Sequence, residues 1–455
     1  MTEFPRVTVI GAGLAGSEAA YQLAKRGFRV RLFEMRPSQK TDVHQSDQFA
    51  ELVCSNSFRS DQMENPVGLI KREMAAWDSL IIKCARAASL PAGGALAVDR
   101  EAFAGSVTQA LENHPNIEIV REEFKAFPNE PAILAAGPLC SPQLHQALHS
   151  FLGDEALYFY DSIAPVVELD SLDLERMFFQ SRYEKGSGDD YLNLPLNQFE
   201  YLDFYQNLVQ AERVMAKSHE KMIFFEACLP IEVMADRGVD TLRFGPMKPV
   251  GLVDPRTGQS PYAVIQFRQD NFARSLWNMV GFQTQLKWGE QARVFKRLPG
   301  MADAQFVRYG MIHRNTYVDS SKHLLPTFQF RARPGVFLAG QICGVEGYVE
   351  SAASGLMAGV LMSRNLSNQS VVPFPAHTAM GSLGHYVAHS GHTKLNPTNV
   401  NFGIMAPEPF HFKGPKRLKK RKLVDRAIAE MLDFARDLGE PIDTTVLAWP
   451  EEAVT

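Results

Sequence analysis

The sequence predicts an α/β protein in which a Rossmann-like, two-dinucleotide-type domain is split by an inserted α+β domain. Three observations predict it. Val7 to Arg36 reads as strand, glycine-rich turn, helix and strand; Ala132 to Pro138 is an apolar strand ending in small residues; and Gly335 to Ala352 is another, far downstream. Between the last two, from about Cys140 to Pro299, aromatics become dense and strands no longer alternate with helices, which marks the insertion. The predicted segments are a first cofactor-binding part over 1–140, the insertion over 141–300, a return over 301–370, and a C-terminal segment over 371–455.

The first stretch carries the most chemistry. Val7 to Ile10 runs into Gly11-Ala12-Gly13-x-x-Gly16, then a helical pattern, then an apolar run closing on Glu34. Gly11 allows the tight turn, Gly13 lets a pyrophosphate approach the backbone, and Gly16 lets helix and strand pack closely. Free N–H groups at the helix start face the phosphates. Glu34 arrives where a carboxylate accepts the ribose hydroxyls, so a free 2′-OH fits better than a 2′-phosphate. Gly137, closing the second strand, lets backbone run close to the cofactor. In the third, Val336 to Ala339 meets Gly340 and Gln341, and a small-residue helix is expected over Glu350 to Leu361. Flavin enzymes of the two-dinucleotide type bring the chain back to the ring and ribityl chain at such a place, so the predicted cofactor is FAD. Gln341 replaces the usual acid, and its amide can still hydrogen-bond the ribityl hydroxyls. Tyr348 in the same loop reads either as a ring stacked on the flavin or as a core tyrosine.

Other elements follow from periodicity. Gly68 to Ala88 reads as one helix with Cys84 on its apolar stripe, Arg100 to Leu111 as another, and Ile117 to Val120 as a strand. A last helix of about a dozen residues is expected from Leu423.

Composition narrows the class. The chain has 455 residues, 45% hydrophobic and 22% charged, with a net charge of −4, so no global field draws it to nucleic acid. Met1 to Arg6 is too short and polar for a secretion signal, and no long uncharged apolar run would span a membrane. Five cysteines with no CxxC pair argue against a disulfide framework and against a metal site, and suit reduced thiols in the cytoplasm.

Two cysteines are presented. Ser38 to Ser60 is a long polar connection, and Cys54 lies in it among small hydrogen-bonding residues, with Arg59 close enough in sequence to favour a thiolate. Cys228 follows an expected strand over Met222 to Glu226 and comes just before Pro230. Each segment alone reads equally well as a buried structural thiol. Lys287, Arg293, Lys296, Arg297, Arg308, His313 and Arg314, interleaved with Trp277, Phe282, Trp288, Phe295 and Tyr309, are either a solvated face or a surface for phosphates and bases. The basic tract Lys413 to Lys422 carries the same two readings.

Together GAGLAGSEAA with FEMRP, LVCSNSFRSD, FFEACLPIEVMA, LRFGPMKPVGL, RYGMIHRNTYV and GQICGVEGYVESAASG closely resemble the TrmFO family, the folate- and FAD-dependent tRNA (uracil-5-)-methyltransferases related to the flavoprotein MnmG (GidA). The resemblance covers nearly the whole chain and is weakest after about Val371. It implies 5,10-methylenetetrahydrofolate as carbon donor, NADPH or NADH as passing reductant, and the T-loop uridine of tRNA, position 54, as target. By the family's pattern Cys228 adds to uracil C6, while Cys54 removes the C5 proton or assists release of the nucleophile; the exchanged roles stay open. A ribosomal RNA uridine would need the same catalytic set. A small-molecule flavin oxidoreductase is the reading of another class.

Overall fold

The computed structural model describes residues 6–450 apart from 42, 130, 154–156, 216–221, 223, 226–227, 390–394, 406–411 and 413. Val7–Ile10 is a continuous apolar and β-branched run, and all four residues are buried, as expected of the inner strand of a parallel sheet. It pairs in parallel with Val30–Phe33 on one side and Ala132–Leu134 on the other. Ile117–Val120 extends the first side and Arg333–Leu338 the second, and Gln329–Phe330 closes that edge antiparallel. The three predicted strands therefore lie side by side in one sheet.

Close backbone packing fixes the layer above it. A Cβ on Gly16 would sit 1.7 Å from the Gly11 carbonyl oxygen, so only glycine lets the Leu14–Lys25 helix start so near the strand. Helix Tyr348–Leu366 lies on that helix in the same manner. A Cβ on Gly355 would be 2.1 Å from the Ala15 oxygen, and one on Gly359 2.9 Å from the Ala19 oxygen.

Between Ala132–Leu134 and Arg333–Leu338 the chain builds a second, six-stranded antiparallel sheet. Its core holds Leu194, Phe267, Trp277, Phe282 and Phe295, all 1% exposed or less. Three of the aromatics considered above for a base-binding surface are thus core, while Trp288 remains 60% exposed. The sheet includes Phe306–Arg308, past the boundary expected at residue 300. A two-stranded ladder of Leu157–Ser162 with Ile312–Tyr317 accompanies the chain out of the first sheet and back, and sets His313 opposite Asp161.

Several expected elements differ. Gly68 to Ala88 is two helices, Pro66–Ala76 and Leu80–Ala87. Asp78 takes φ +56° between them, and the Ser79 hydroxyl accepts from Ile82 N to start the second. The last helix is Lys416–Leu438, 23 residues long, and begins inside the basic tract, because lysine and arginine are good helix formers whose heads stay in water. The small-residue helix is longer than expected at both ends. The expected strand over Met222 to Glu226 falls partly on residues 223 and 226, which lie outside the described residues, as does Lys413; Phe224 bridges Tyr160. Among the described residues no helix is long and apolar enough to cross a membrane.

Candidate active site

A cavity of about 330 Å³ opens beyond the carboxyl ends of the parallel strands, where open α/β sheets place their ligands. Gly11, Gly13, Glu34, Gly137, Gly340, Gln341 and Tyr348 line it, together with both Cys54 and Cys228. Gly16 and Ala12 act from behind: Gly16 admits the close packing just described, and the Ala12 N–H donates to Glu34 Oε2 at 3.1 Å.

The cradle fits a dinucleotide. The Leu14–Lys25 helix has no side-chain cap at its N-terminus, and its first residues face the cavity. A Cβ built on Gly13 would meet nothing within 4 Å, which leaves the space a pyrophosphate needs. Glu34 Oε1 accepts from Arg36 N at 3.0 Å and Nε at 2.9 Å. Burial opposes its charge, but the Arg36 bonds more than offset this and hold the carboxyl below its usual range. Arg36 also pairs with Glu51 at 3.1 Å, so its charge is already committed to carboxylates and is not offered to a 2′-phosphate. The Gln341 amide donates to Glu346 Oε2 at 2.6 Å, leaving its own oxygen for a hydroxyl partner.

The thiols are brought together by the two-stranded ladder. Cys54 Sγ donates to the Ser162 carbonyl at 3.7 Å, and the Ser162 hydroxyl donates to the Cys228 carbonyl at 2.8 Å. A hydrogen bond to the Cys54 side chain pushes the Cys228 thiol up strongly, with burial and the Asp161 carboxylate adding to it. Cys228 is therefore held as a protonated thiol. All five cysteines are free. Cys140 also lines the cavity, and burial pushes it up to about 11.

Residues 52–56 owe their shape to side chains distant in sequence. Arg100 donates to the carbonyls of Leu52 at 2.6 Å and Cys54 at 3.1 Å while paired with Asp270 at 3.0 Å. Arg308 donates to the Val53 carbonyl. Arg268 donates to Asn56 Oδ1 at 2.9 Å and Ser55 Oγ at 3.1 Å. From the other side the Tyr348 hydroxyl accepts the Cys54 N–H at 2.7 Å and the Ser55 N–H at 3.2 Å. Burial, first, pushes that phenol above its usual range, so it stays neutral. Arg59, the cation expected near Cys54, lines the same cavity and pairs with the buried Glu350.

Sequence reasoning did not single out Asp161, Glu346 or Asn315, all buried on the cavity wall, nor the bracing roles of Arg100 and Arg268. Asn315 and His313 share one face of their strand, two residues apart, which period-2 alternation would have paired had the strand been recognised.

The arrangement defines a class, a FAD-binding flavoprotein fold with a thiol pair beside the cofactor cradle. Solved Aquifex aeolicus GidA has the same fold. Its form I crystal structure matches with a TM-score of 0.69 at 17% identity, over 99% of this chain and 77% of that one, and form II with 0.66 at 14%, over 95% and 78%. The family model described as glucose inhibited division protein A matches residues 6–370. Three relatives bear the name methylenetetrahydrofolate--tRNA-(uracil-5-)-methyltransferase TrmFO. The one from Anoxybacillus flavithermus is 52% identical, over 95% of this chain and all of its own. Bacillus velezensis gives 53%, over 95% and 99%. Symbiobacterium thermophilum gives 52%, over 97% and 100%. The chain belongs to the TrmFO methyltransferases of the GidA family.

Proposed function

We propose that this chain methylates C5 of the T-loop uridine of tRNA, position 54, with methylenetetrahydrofolate as carbon donor and NADPH or NADH as reductant. The observation that carries it is the meeting of Cys54 and Cys228 on the same cavity as the dinucleotide cradle. Segments 1–140 and 318–370 are read as one cofactor domain, with the RNA-facing insertion between them running past the expected residue 300 to Tyr317 and the basic segment 371–455 following.

Uracil C5 is a poor nucleophile until a sulfur adds at C6. Cys54 first gives up the proton it donates to Ser162; as a thiolate it then takes the Cys228 proton while Cys228 Sγ bonds to C6, and the C5–C6 π pair becomes an enolate able to take up the one-carbon unit. Cys54 then assists loss of the C5 proton and release of Cys228. A flavin held in the cradle and reduced by NADPH or NADH would supply the reducing equivalents that take the folate-derived methylene to methyl. Gly13 and the helix N-terminus would hold its pyrophosphate, Glu34 its ribose and Gln341 its ribityl chain, while Tyr348 acts by holding Cys54 in place. The target base must leave the stack to reach this pocket.

Incubating the protein with methylenetetrahydrofolate, NADPH or NADH and either unmodified tRNA or unmodified 23S rRNA tests the reading. 5-Methyluridine forms in tRNA; its formation in rRNA alone would refute the tRNA assignment.

A further inference from the structure

The cavity wall carries two buried carboxyl groups that the proposal above leaves unused. Glu346 is 5% exposed and Asp161 6%, and both line the cavity with the two cysteines. They reach it from different elements, Glu346 from the return loop before Tyr348 and Asp161 from the strand Leu157–Ser162. Each is fixed. Gln341 Nε2 donates to Glu346 Oε2 at 2.6 Å, and the Asn399 amide holds the Glu346 carbonyl. The Ser162 N–H donates to Asp161 Oδ1 at 2.9 Å, and His313 Nε2 lies 3.9 Å from Asp161 Oδ2.

Addition of sulfur at C6 drives electron density through C5 and C4 onto O4 of the uracil, and the site must meet that charge with a donor. The two arginines that line the cavity are committed elsewhere: Arg36 to Glu34 and Glu51, Arg59 to Glu350. A carboxylic acid kept neutral by its surroundings is an established alternative. Burial, first, and then the charges of Asp161 and Glu350 push Glu346 well above the usual carboxylate range, against the Gln341 hydrogen bond. With Oε2 already accepting from Gln341, Oε1 is the atom left to carry a proton.

We infer that Glu346 is a further catalytic residue, whose carboxyl O–H donates a hydrogen bond to O4 of the target uracil as Cys228 adds at C6. This rests on the assignment of Cys228 as nucleophile. The step balances with Cys54 deprotonated beforehand: the S–C6 bond forms, the Cys228 proton moves to the Cys54 thiolate, the C5–C6 π pair becomes the enolate, and its O4 end accepts a hydrogen bond from the Glu346 O–H.

Reversible addition at C6 makes the C5 hydrogen exchangeable, so the step is measurable without folate or reductant. The test incubates the FAD-bound protein with unmodified tRNA in D2O and follows deuterium at the target C5 by mass spectrometry. Glu346→Ala should lower exchange by about 10²-fold or more. Glu346→Gln, whose amide keeps a donor of the same shape, should stay within about tenfold of the unaltered protein. FAD absorbance and tRNA affinity should hold in both variants. Exchange at full rate in Glu346→Ala, or equal loss in both variants, would overturn the assignment. Cys228→Ala separates the two readings: exchange that persists in it refutes the nucleophile and with it the role of Glu346, whereas exchange lost in Cys228→Ala but kept in Glu346→Ala refutes Glu346 alone.

Discussion

The cofactor cradle and the thiol site share one cavity and are built by opposite means. The cradle is mostly backbone from one contiguous stretch: Gly11, Gly13 and the start of the Leu14–Lys25 helix, with Glu34 as its main side chain. The thiol site is mostly side chain, drawn from residues 54, 100, 161, 228, 268, 308 and 348. Backbone cradles tolerate little added volume but need few particular side chains. Side-chain sites tolerate shape changes around them but fail when one partner is lost. The difference teaches that perturbing one region should leave a recognisable trace of the other.

The largest separation comes from the thiols. Cys228→Ala and Cys54→Ala should each cut 5-methyluridine formation by about 10⁴-fold or more while the protein stays yellow with FAD. A flavin oxidoreductase acting on small molecules would instead retain NADPH turnover in both. Next is the cradle itself. Gly16→Ala drives a methyl into the Gly11 carbonyl, so FAD content and melting temperature should fall together, by about 1–3 kcal/mol of stability. Unchanged FAD content in that variant would break the comparison.

Smaller effects sharpen it. Tyr348→Phe leaves the Cys54 and Ser55 N–H groups without their acceptor, at a cost of about 1–3 kcal/mol, and should lower methylation by about ten- to a hundredfold with FAD retained. Loss of FAD in that variant would make Tyr348 part of the cradle. Least affected should be the chemistry in a Lys416→Ala, Lys419→Ala, Lys420→Ala triple variant. The three lysines lie at the start of the last helix, so tRNA affinity should weaken and its logarithmic salt slope become shallower by about two, while the rate at saturating tRNA holds. An unchanged salt slope would place the RNA backbone elsewhere.

The same contrast explains how much was legible in the sequence. Gly11, Gly13, Gly16 and Glu34 could be read because the unit they serve is local, with spacing set by one turn and one helix. The insertion was legible as a change of texture, but its far edge was not, since Phe306–Arg308 joins the second sheet through pairing with Val166–Glu168 that no local pattern announces. Cys54 and Cys228 were visible as presented thiols; their meeting was not, because it runs through Ser162 and the ladder with Ile312–Tyr317. The partner of Arg59 was hidden for the same reason. It is near Cys54 in sequence, yet the buried Glu350 takes it, and Arg100, Arg268 and Arg308 brace the loop from afar. Lys287, Arg293 and Arg297 formed a plausible basic surface as letters, but each is paired with an acid, Glu212, Glu290 and Asp203 respectively.

The central claim is that the thiol pair and the flavin cradle act on one tRNA uridine. Reaction of unmodified tRNA with isotope-labelled methylenetetrahydrofolate, NADPH and the FAD-bound protein, followed by nuclease mapping and mass analysis, tests it most directly. The account predicts labelled 5-methyluridine at the T-loop position 54 alone, and none with Cys228→Ala. Label at another site, or label that persists in Cys228→Ala, would contradict it.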